Sequence, residues 1–133
     1  MGNRSMVQTV ALIFGVVYLA VGIVGFLPFL GGSYTQTSSS LLGIFPINLL
    51  HNLVHAVIGV AGIAAAASLA SSRMFNQIVG VVLLLLGVVG IFVAQPLGLL
   101  NIGGPDIALH LLTGGILAYF GFAAATTPRR ATA

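Results

Sequence analysis

The sequence has no cysteine and no tryptophan, and it carries only four basic residues and one acidic residue among 133. Without cysteine, disulfide bonds, thiolate metal sites and cysteine-held iron–sulfur clusters are excluded. Charged residues make up 4% of the chain, hydrophobic residues 59%, and the mean hydropathy is +1.19. Insertion of one charged side chain at the centre of a bilayer costs about 2.5 to 3.5 kcal/mol. This composition therefore predicts an integral membrane protein.

The few positive charges read as topology signals. Four arginines without interleaved aromatic residues form no basic patch, so we expect a lipid bilayer and no nucleic acid as partner. They lie before the first apolar segment, between the second and third, and after the fourth: Arg4, Arg73, Arg129 and Arg130. All of these places fall on one side of the membrane if the segments alternate in direction. The positive-inside bias then predicts cytoplasmic N and C termini.

Four apolar segments cover most of the chain, at about 6–30, 48–70, 74–94 and 105–125. Each is close to the roughly 20 residues that a helix needs to cross the hydrocarbon layer. Backbone groups inside the bilayer must be satisfied within the segment, which favours helices. The sequence predicts an all-α membrane protein with four transmembrane helices in a single membrane domain, 1–133. We expect apolar pieces of the two outer loops, 31–47 and 96–104, to dip into the interface.

The two halves of the chain repeat each other. Residues 15–25 match residues 80–90 at an offset of 65, with seven of eleven positions identical. At an offset of 55, His55 falls on His110 and His51 falls on Asp106. Each half is a two-helix hairpin, 6–70 and 74–125, so both insert in the same direction. The repeat predicts a pseudo-twofold axis along the membrane normal.

Glycines recur along one face of these segments. Lipid is as apolar as leucine, so helices associate in membranes where small residues let their backbones approach closely. The expected packing positions are Gly15, Gly22, Gly25, Gly59, Gly62, Gly80, Gly87, Gly90 and Gly114. This pattern favours a non-enzymatic packing role, as a homo-oligomer or as an accessory subunit of a larger membrane complex.

A polar tetrad opens the second and fourth segments. Residues four apart share one helix face, so His51 pairs with His55 and Asp106 pairs with His110. If the second helix lies beside the fourth, the tetrad converges near the outer face, with His51 opposite Asp106 and His55 opposite His110. Three imidazoles and a carboxylate form a ligand set for Zn or another divalent metal.

Other interpretations of the tetrad stay open. One alternative is a b-type haem bound between His55 and His110. The residues expected to leave room for the porphyrin are Gly59, Gly62, Gly114 and Gly115. A second alternative is proton or ion handling through Asp106 and the neighbouring imidazoles. The favoured one is structural: Asn48 and Pro105 serve as helix caps, and the histidines form hydrogen bonds between helices.

The spacing of His51 and His55 also occurs in H-E-x-x-H peptidases. Here Asn52 stands where those enzymes have the general base. We therefore expect no peptidase. Two short outer loops leave little room for a large substrate pocket within one subunit, so we expect no enzyme activity unless subunits share a site.

The run Gly43-Ile44-Phe45-Pro46-Ile47-Asn48-Leu49-Leu50-His51-Asn52-Leu53-Val54-His55, followed by Gly59, carries a resemblance. It resembles a family of small four-helix bacterial membrane proteins, frequent in actinobacteria and known as a domain of unknown function. The resemblance covers nearly the whole chain and implies a bacterial inner-membrane protein. It implies no activity, so no functional residue is carried over from it.

Overall fold

The computed structural model describes residues 4–93 and 99–124, and these are mostly helical, which confirms that part of the prediction. Four α-helices lie within these described residues: α1 (Met6–Val24), α2 (Leu49–Ala65), α3 (Leu69–Phe92) and α4 (Pro105–Phe122). Helices α1, α3 and α4 are long and apolar enough to cross a membrane, whereas α2 has 17 residues. The predicted ends at 94 and 125, and the outer-loop residues 96–98, lie outside the described residues.

Helix α1 is shorter than predicted. Its start is closed by a capping box, in which the backbone N–H of Gln8 donates to the Ser5 hydroxyl and the N–H of Ser5 donates to the Gln8 side chain. It ends at Val24 instead of continuing to 30. Pro28 has no N–H to extend the helical ladder, and it begins a separate 3-10 turn, Pro28–Leu30.

The connection between α2 and α3 lies earlier than predicted. We expected residues 71–73 to link segments 48–70 and 74–94, but the turn falls at 66–68. Ser68 is the N-cap of α3 and accepts from the backbone N–H of Ser71, while the Ser72 hydroxyl donates to the carbonyl of Ala65 at 2.9 Å. Ser71 and Ser72 belong to the beginning of α3 because their polar groups are satisfied by this capped start, and Arg73 next to them donates to the carbonyl of Gly121.

The loop between α1 and α2 contains a β-hairpin, which corrects the all-α prediction. Strands β1 (Ser39–Leu41) and β2 (Phe45–Ile47) pair antiparallel. Their connection places Leu42 at φ 54° and Gly43 at φ 75°. Glycine adopts this left-handed conformation at little cost, but a branched residue such as leucine does so rarely. Three-residue strands give too little alternation for recognition from sequence.

The helices pack in two close pairs, α1 with α2 and α3 with α4. A Cβ on Gly22 would lie 2.6 Å from the backbone nitrogen of Ala56, and one on Gly80 would lie 2.5 Å from that of Ala118. Only glycine fits at such approaches. Further close contacts within the chain involve Gly15, Gly59, Gly62, Gly87 and Gly114, while Gly25 faces the Asn52 side chain and Gly90 faces Ile102.

Contacts between α1 and α3 join the two pairs. The core combines side chains of α1, α3 and α4: Val10, Ala11, Tyr18, Phe75, Leu83 and Leu117. Most of the remaining large apolar side chains are exposed on the outside of the bundle, as expected where lipid replaces water as the solvent. The core therefore sits where the two helix pairs meet.

Asn52 links the end of α1 to the loop between α1 and α2. Its side-chain amide donates to the carbonyls of Gly25, at 2.7 Å, and Ser33, at 3.1 Å. We expect Asn52→Ala to lower the free energy of unfolding by about 2 kcal/mol, because each buried hydrogen bond contributes about 1 kcal/mol. Thermal unfolding in detergent measures this. The control is Leu53→Ala at the neighbouring exposed position; equal loss in both variants would contradict the assignment.

Candidate metal site

All three histidines of the chain meet at the end of the bundle where α2 and α4 begin. One ring nitrogen from each of His51, His55 and His110 lies within 4.8 Å of the other two. The ring centroids are 4.5 Å apart for His51 and His55, 6.0 Å for His51 and His110, and 6.4 Å for His55 and His110. The structure thus brings together three of the four tetrad residues as a compact imidazole cluster.

His51 is held on both its backbone and its ring. Asn48 is the N-cap of α2: its side-chain oxygen accepts from the backbone N–H of His51 at 2.9 Å, and its amide donates to the carbonyl of Leu99 at 2.8 Å. The ring Nδ1 of His51 donates to the carbonyl of Asn101 at 2.9 Å. A carbonyl can only accept, so Nδ1 carries a proton and the neutral ring keeps the lone pair on Nε2.

Asn101 was not predicted as a site residue. It acts through its backbone carbonyl, and its side chain donates to the Ser38 hydroxyl. A backbone carbonyl leaves no trace in the residue type. The only sequence signal was an asparagine in the loop before α4.

His110 is oriented by Asp106 one turn earlier on α4. The ring Nδ1 donates to the Asp106 backbone carbonyl at 2.8 Å and lies 3.3 Å from the carboxylate Oδ1. Nε2 is therefore the nitrogen of His110 left to bind a ligand. Asp106 therefore supports His110 within one helix, and the expected position of Asp106 opposite His51 stays a prediction. Pro105 is the first residue of α4, and Gly104 is its N-cap.

His55 stands between the other two imidazoles and α1. Its Nε2 lies 3.1 Å from Nε2 of His51, and its ring packs edge-on against Tyr18, with centroids 5.0 Å apart. The Tyr18 hydroxyl lies 3.0 Å from Oγ1 of Thr113, which itself donates to the Leu109 carbonyl; Tyr18 is thus the donor to Thr113. Tyr18 and Thr113 form the boundary of the cluster on the side of the bundle centre.

We had expected the histidines to meet because α2 packs beside α4. The structure brings them together without close packing of these two helices. Among the described residues, the close pairs are α1 with α2 and α3 with α4, and α2 is joined to α4 mainly through the histidine side chains. The backbones are separated there, which leaves room for imidazole rings between them.

Comparison with known proteins places the chain in a family. The family described as "Domain of unknown function (DUF4383)" matches residues 8–123. The chain belongs to this family. Neither the curated proteins nor the solved structures searched gave a match. The family membership and the three long apolar helices fit a multi-pass membrane protein whose activity is not established.

A cavity of about 380 Å³ adjoins the imidazoles of this family member. Its walls come from α1, the β-hairpin, α2 and α4, and its lining is apolar except for the cluster, Asp106, Tyr18 and Thr113. It is within the range of small-ligand sites, about 300 to 1,000 Å³. The cluster is therefore accessible from a mainly apolar space.

One carboxyl group lies beside the cluster. Asp106 is the only acidic residue of the chain. Its Oδ2 is buried and has no hydrogen-bond partner in the part of the chain that the structure describes. Arg73 donates to the carbonyl of Gly121, at the opposite end of α4. A cation at the imidazoles would therefore lie near the carboxyl group of Asp106, with Arg73 at the other end of α4.

Proposed function

We propose that this chain is a multi-pass membrane protein that binds one divalent transition metal ion, Zn²⁺ in the first instance, through Nε2 of His51, His55 and His110. The observation that carries the proposal is the approach of three imidazole nitrogens to within 4.8 Å of one another in a chain with three histidines. Imidazole nitrogen is a preferred ligand of zinc and of similar borderline metals.

The spacing of the first two nitrogens suits one shared ion. Two nitrogens bound tetrahedrally to zinc, each at roughly 2.0 to 2.1 Å, lie about 3.3 Å apart. The separation between Nε2 of His51 and Nε2 of His55 is 3.1 Å. His110 completes the proposed set if its nitrogen, which lies within 4.8 Å of the other two, moves to bonding distance of the ion. A tetrahedral ion then keeps a fourth position that no imidazole fills.

The outer contacts of the cluster support the same proposal. Metal-binding histidines characteristically donate their other ring N–H to a carbonyl or carboxylate, which fixes the tautomer and the ring orientation. His51 donates to the Asn101 carbonyl, and His110 donates to Asp106. A buried carboxylate is costly without a counter-charge, and a divalent ion on the adjacent imidazoles supplies one for Asp106.

The haem alternative receives less support from the geometry. Room for a porphyrin was expected beside four glycines, but a Cβ on Gly59, Gly62 or Gly114 would meet backbone or side-chain atoms of a neighbouring helix within 3.0 Å. Of these four glycines, only Gly115 has open space beside it. Proton or ion handling by the cluster, and the absence of enzyme activity, stay predictions.

The glycines that suggested a packing role make contacts within the chain itself. Gly15, Gly22, Gly80 and Gly87 contact the partner helix of their own pair, so these positions explain the fold of one chain. Association between copies, or with a larger membrane complex, stays a prediction from the glycine pattern of the sequence.

We also infer the tandem arrangement of two hairpins, supported by contacts that recur at the repeat offsets. Gly15 approaches Ile63, and Gly80, 65 residues later, approaches Ala118, which is 55 residues after Ile63. Likewise Gly22 approaches Ala56 and Gly87 approaches Leu111, and Gly59 approaches Leu19 and Gly114 approaches Leu84. With Arg4 and Arg73 at the end opposite the histidines, we propose cytoplasmic termini in a bacterial inner membrane and a metal site near the outer face.

Elemental analysis with an absorption spectrum tests the metal proposal. The protein is purified in detergent without a histidine tag, because added histidines would bind metal themselves. We expect about one zinc per chain after equilibration with zinc and removal of the excess, and no Soret band. Less than about 0.1 zinc per chain would overturn the proposal, and a Soret band would revive the haem alternative.

A further inference from the structure

The cavity beside the imidazoles has one polar wall and one apolar flank. His51, His55 and His110 line one side. On the other side, Val17 and Val21 of α1 are 48% and 38% exposed, and Leu109 of α4 is 44% exposed, although all three line the cavity. Side chains that both line a cavity and lie on the outer surface mark its opening. The opening therefore lies between α1 and α4, where the surroundings are lipid.

Two other sides of the cavity are covered by side chains that the structure describes. Toward the centre of the bundle, the Tyr18 hydroxyl and Thr113 are joined at 3.0 Å. Toward the end of the bundle, the β-hairpin covers the cavity with the buried side chains of Leu41 and Ile47. A ligand that reaches the imidazoles by this route enters sideways from the bilayer.

The rim of the cavity carries a strained residue. Leu42, at the tip of the hairpin, has φ 54°, and its side chain is 58% exposed while still lining the cavity. Non-glycine residues in the left-handed region persist where the surroundings impose them, and they concentrate at ligand-binding sites. An apolar side chain held at the rim in this way extends the apolar wall that a ligand would contact.

We infer that the fourth position on the metal takes the oxygen head group of a single-tailed amphiphile from the bilayer, whose tail lies between α1 and α4. This inference rests on the proposed metal site. Zinc sites with three protein nitrogens commonly take an oxygen ligand in the fourth position. The polar head would meet the ion at the imidazole wall, and the apolar flank of Val17, Val21 and Leu109 would contact the tail. A space of about 380 Å³ suits one tail.

The test compares two probes that share one metal-binding head. Decanohydroxamate and acetohydroxamate both coordinate a metal through hydroxamate oxygens, and only the first has a long tail. The protein is loaded with Co²⁺, whose visible absorption reports a change in its ligands. In wild type, we expect both probes to change the spectrum, with decanohydroxamate binding at least about ten-fold more tightly.

Variants distinguish binding of the long probe in the cavity from its partition into the detergent micelle. Leu109→Trp fills the opening, and we expect it to weaken decanohydroxamate binding at least about ten-fold while acetohydroxamate binding stays unchanged. Leu112→Trp is the matched control, because Leu112 is 61% exposed on the same helix and does not line the cavity. Val21→Trp, on the opposite flank, should reproduce the effect of Leu109→Trp.

The outcomes distinguish this inference from the metal proposal. If Co²⁺ binds but Leu109→Trp and Leu112→Trp affect the long probe equally, the metal site stands and the amphiphile is excluded. The same conclusion follows if both probes bind with equal affinity in wild type. If no Co²⁺ is taken up, both the metal site and its ligand are overturned.

Discussion

Replacing His55 with alanine is expected to lower the zinc content from about one ion per chain to less than about 0.1. His55 supplies the nitrogen that lies 3.1 Å from Nε2 of His51, and two imidazoles alone do not make the three-ligand site of a stable protein-bound zinc. Elemental analysis of the purified variant, kept free of affinity-tag histidines, measures the change.

A matched variant distinguishes loss of a ligand from damage to its surroundings. Tyr18→Phe keeps the ring that packs against His55 and removes only the hydroxyl bonded to Thr113. We expect it to retain full zinc content. A ligand present at 100 times its dissociation constant stabilises the folded state by about 2.7 kcal/mol. Zinc should therefore raise the unfolding temperature of wild type and Tyr18→Phe but not of His55→Ala; full zinc in His55→Ala would refute the ligand assignment.

Replacing Gly114 with leucine is expected to destabilise the bundle by at least about 3 kcal/mol, the upper end of the cost of overpacking a core. A Cβ at this position would lie 2.8 Å from the backbone nitrogen of Leu84, so a side chain forces α3 and α4 apart. We expect the unfolding temperature in detergent to fall by about 10 °C or more.

The adjacent glycine provides the control for this substitution. Gly115 lies next in the same helix, and a Cβ there would meet nothing within 4 Å. Gly115→Leu should fold as well as wild type, because leucine has the better helix propensity and finds open space. Equal stability of the two variants would show that the approach of α3 to α4 at Gly114 is not tight.

The helical, membrane-spanning character of the chain could be predicted from sequence because it depends on local composition. Three helices are long and apolar enough to cross a bilayer. Family membership was likewise recognisable from a continuous run of residues, from Gly43 to Gly59, and it is confirmed by the match over residues 8–123. Neither conclusion requires knowledge of which helix touches which.

The ends of the helices could be predicted less well. Residues 71–73 look like a polar connection, but α3 begins at Leu69 because Ser68 caps it and Ser72 bonds back to Ala65. The β-hairpin was missed because three-residue strands carry little pattern, and their pairing depends on the loop folding back over the helix ends. The start of α3 and the β-hairpin both depend on particular hydrogen bonds. The residue types alone do not say which partner each polar group bonds to.

The sequence alone determined that three histidines and one acid stand near the start of two apolar helices, and that glycines recur on a helical spacing. Both are matters of residue type and position. Only the tertiary structure decided that the Asn101 carbonyl holds His51 and that the three imidazoles meet beside a mainly apolar cavity. The physical reason is that the Asn101 contact and the meeting of His110 with the other two imidazoles join segments 50 or more residues apart, and their geometry follows from how closely the helix backbones pack.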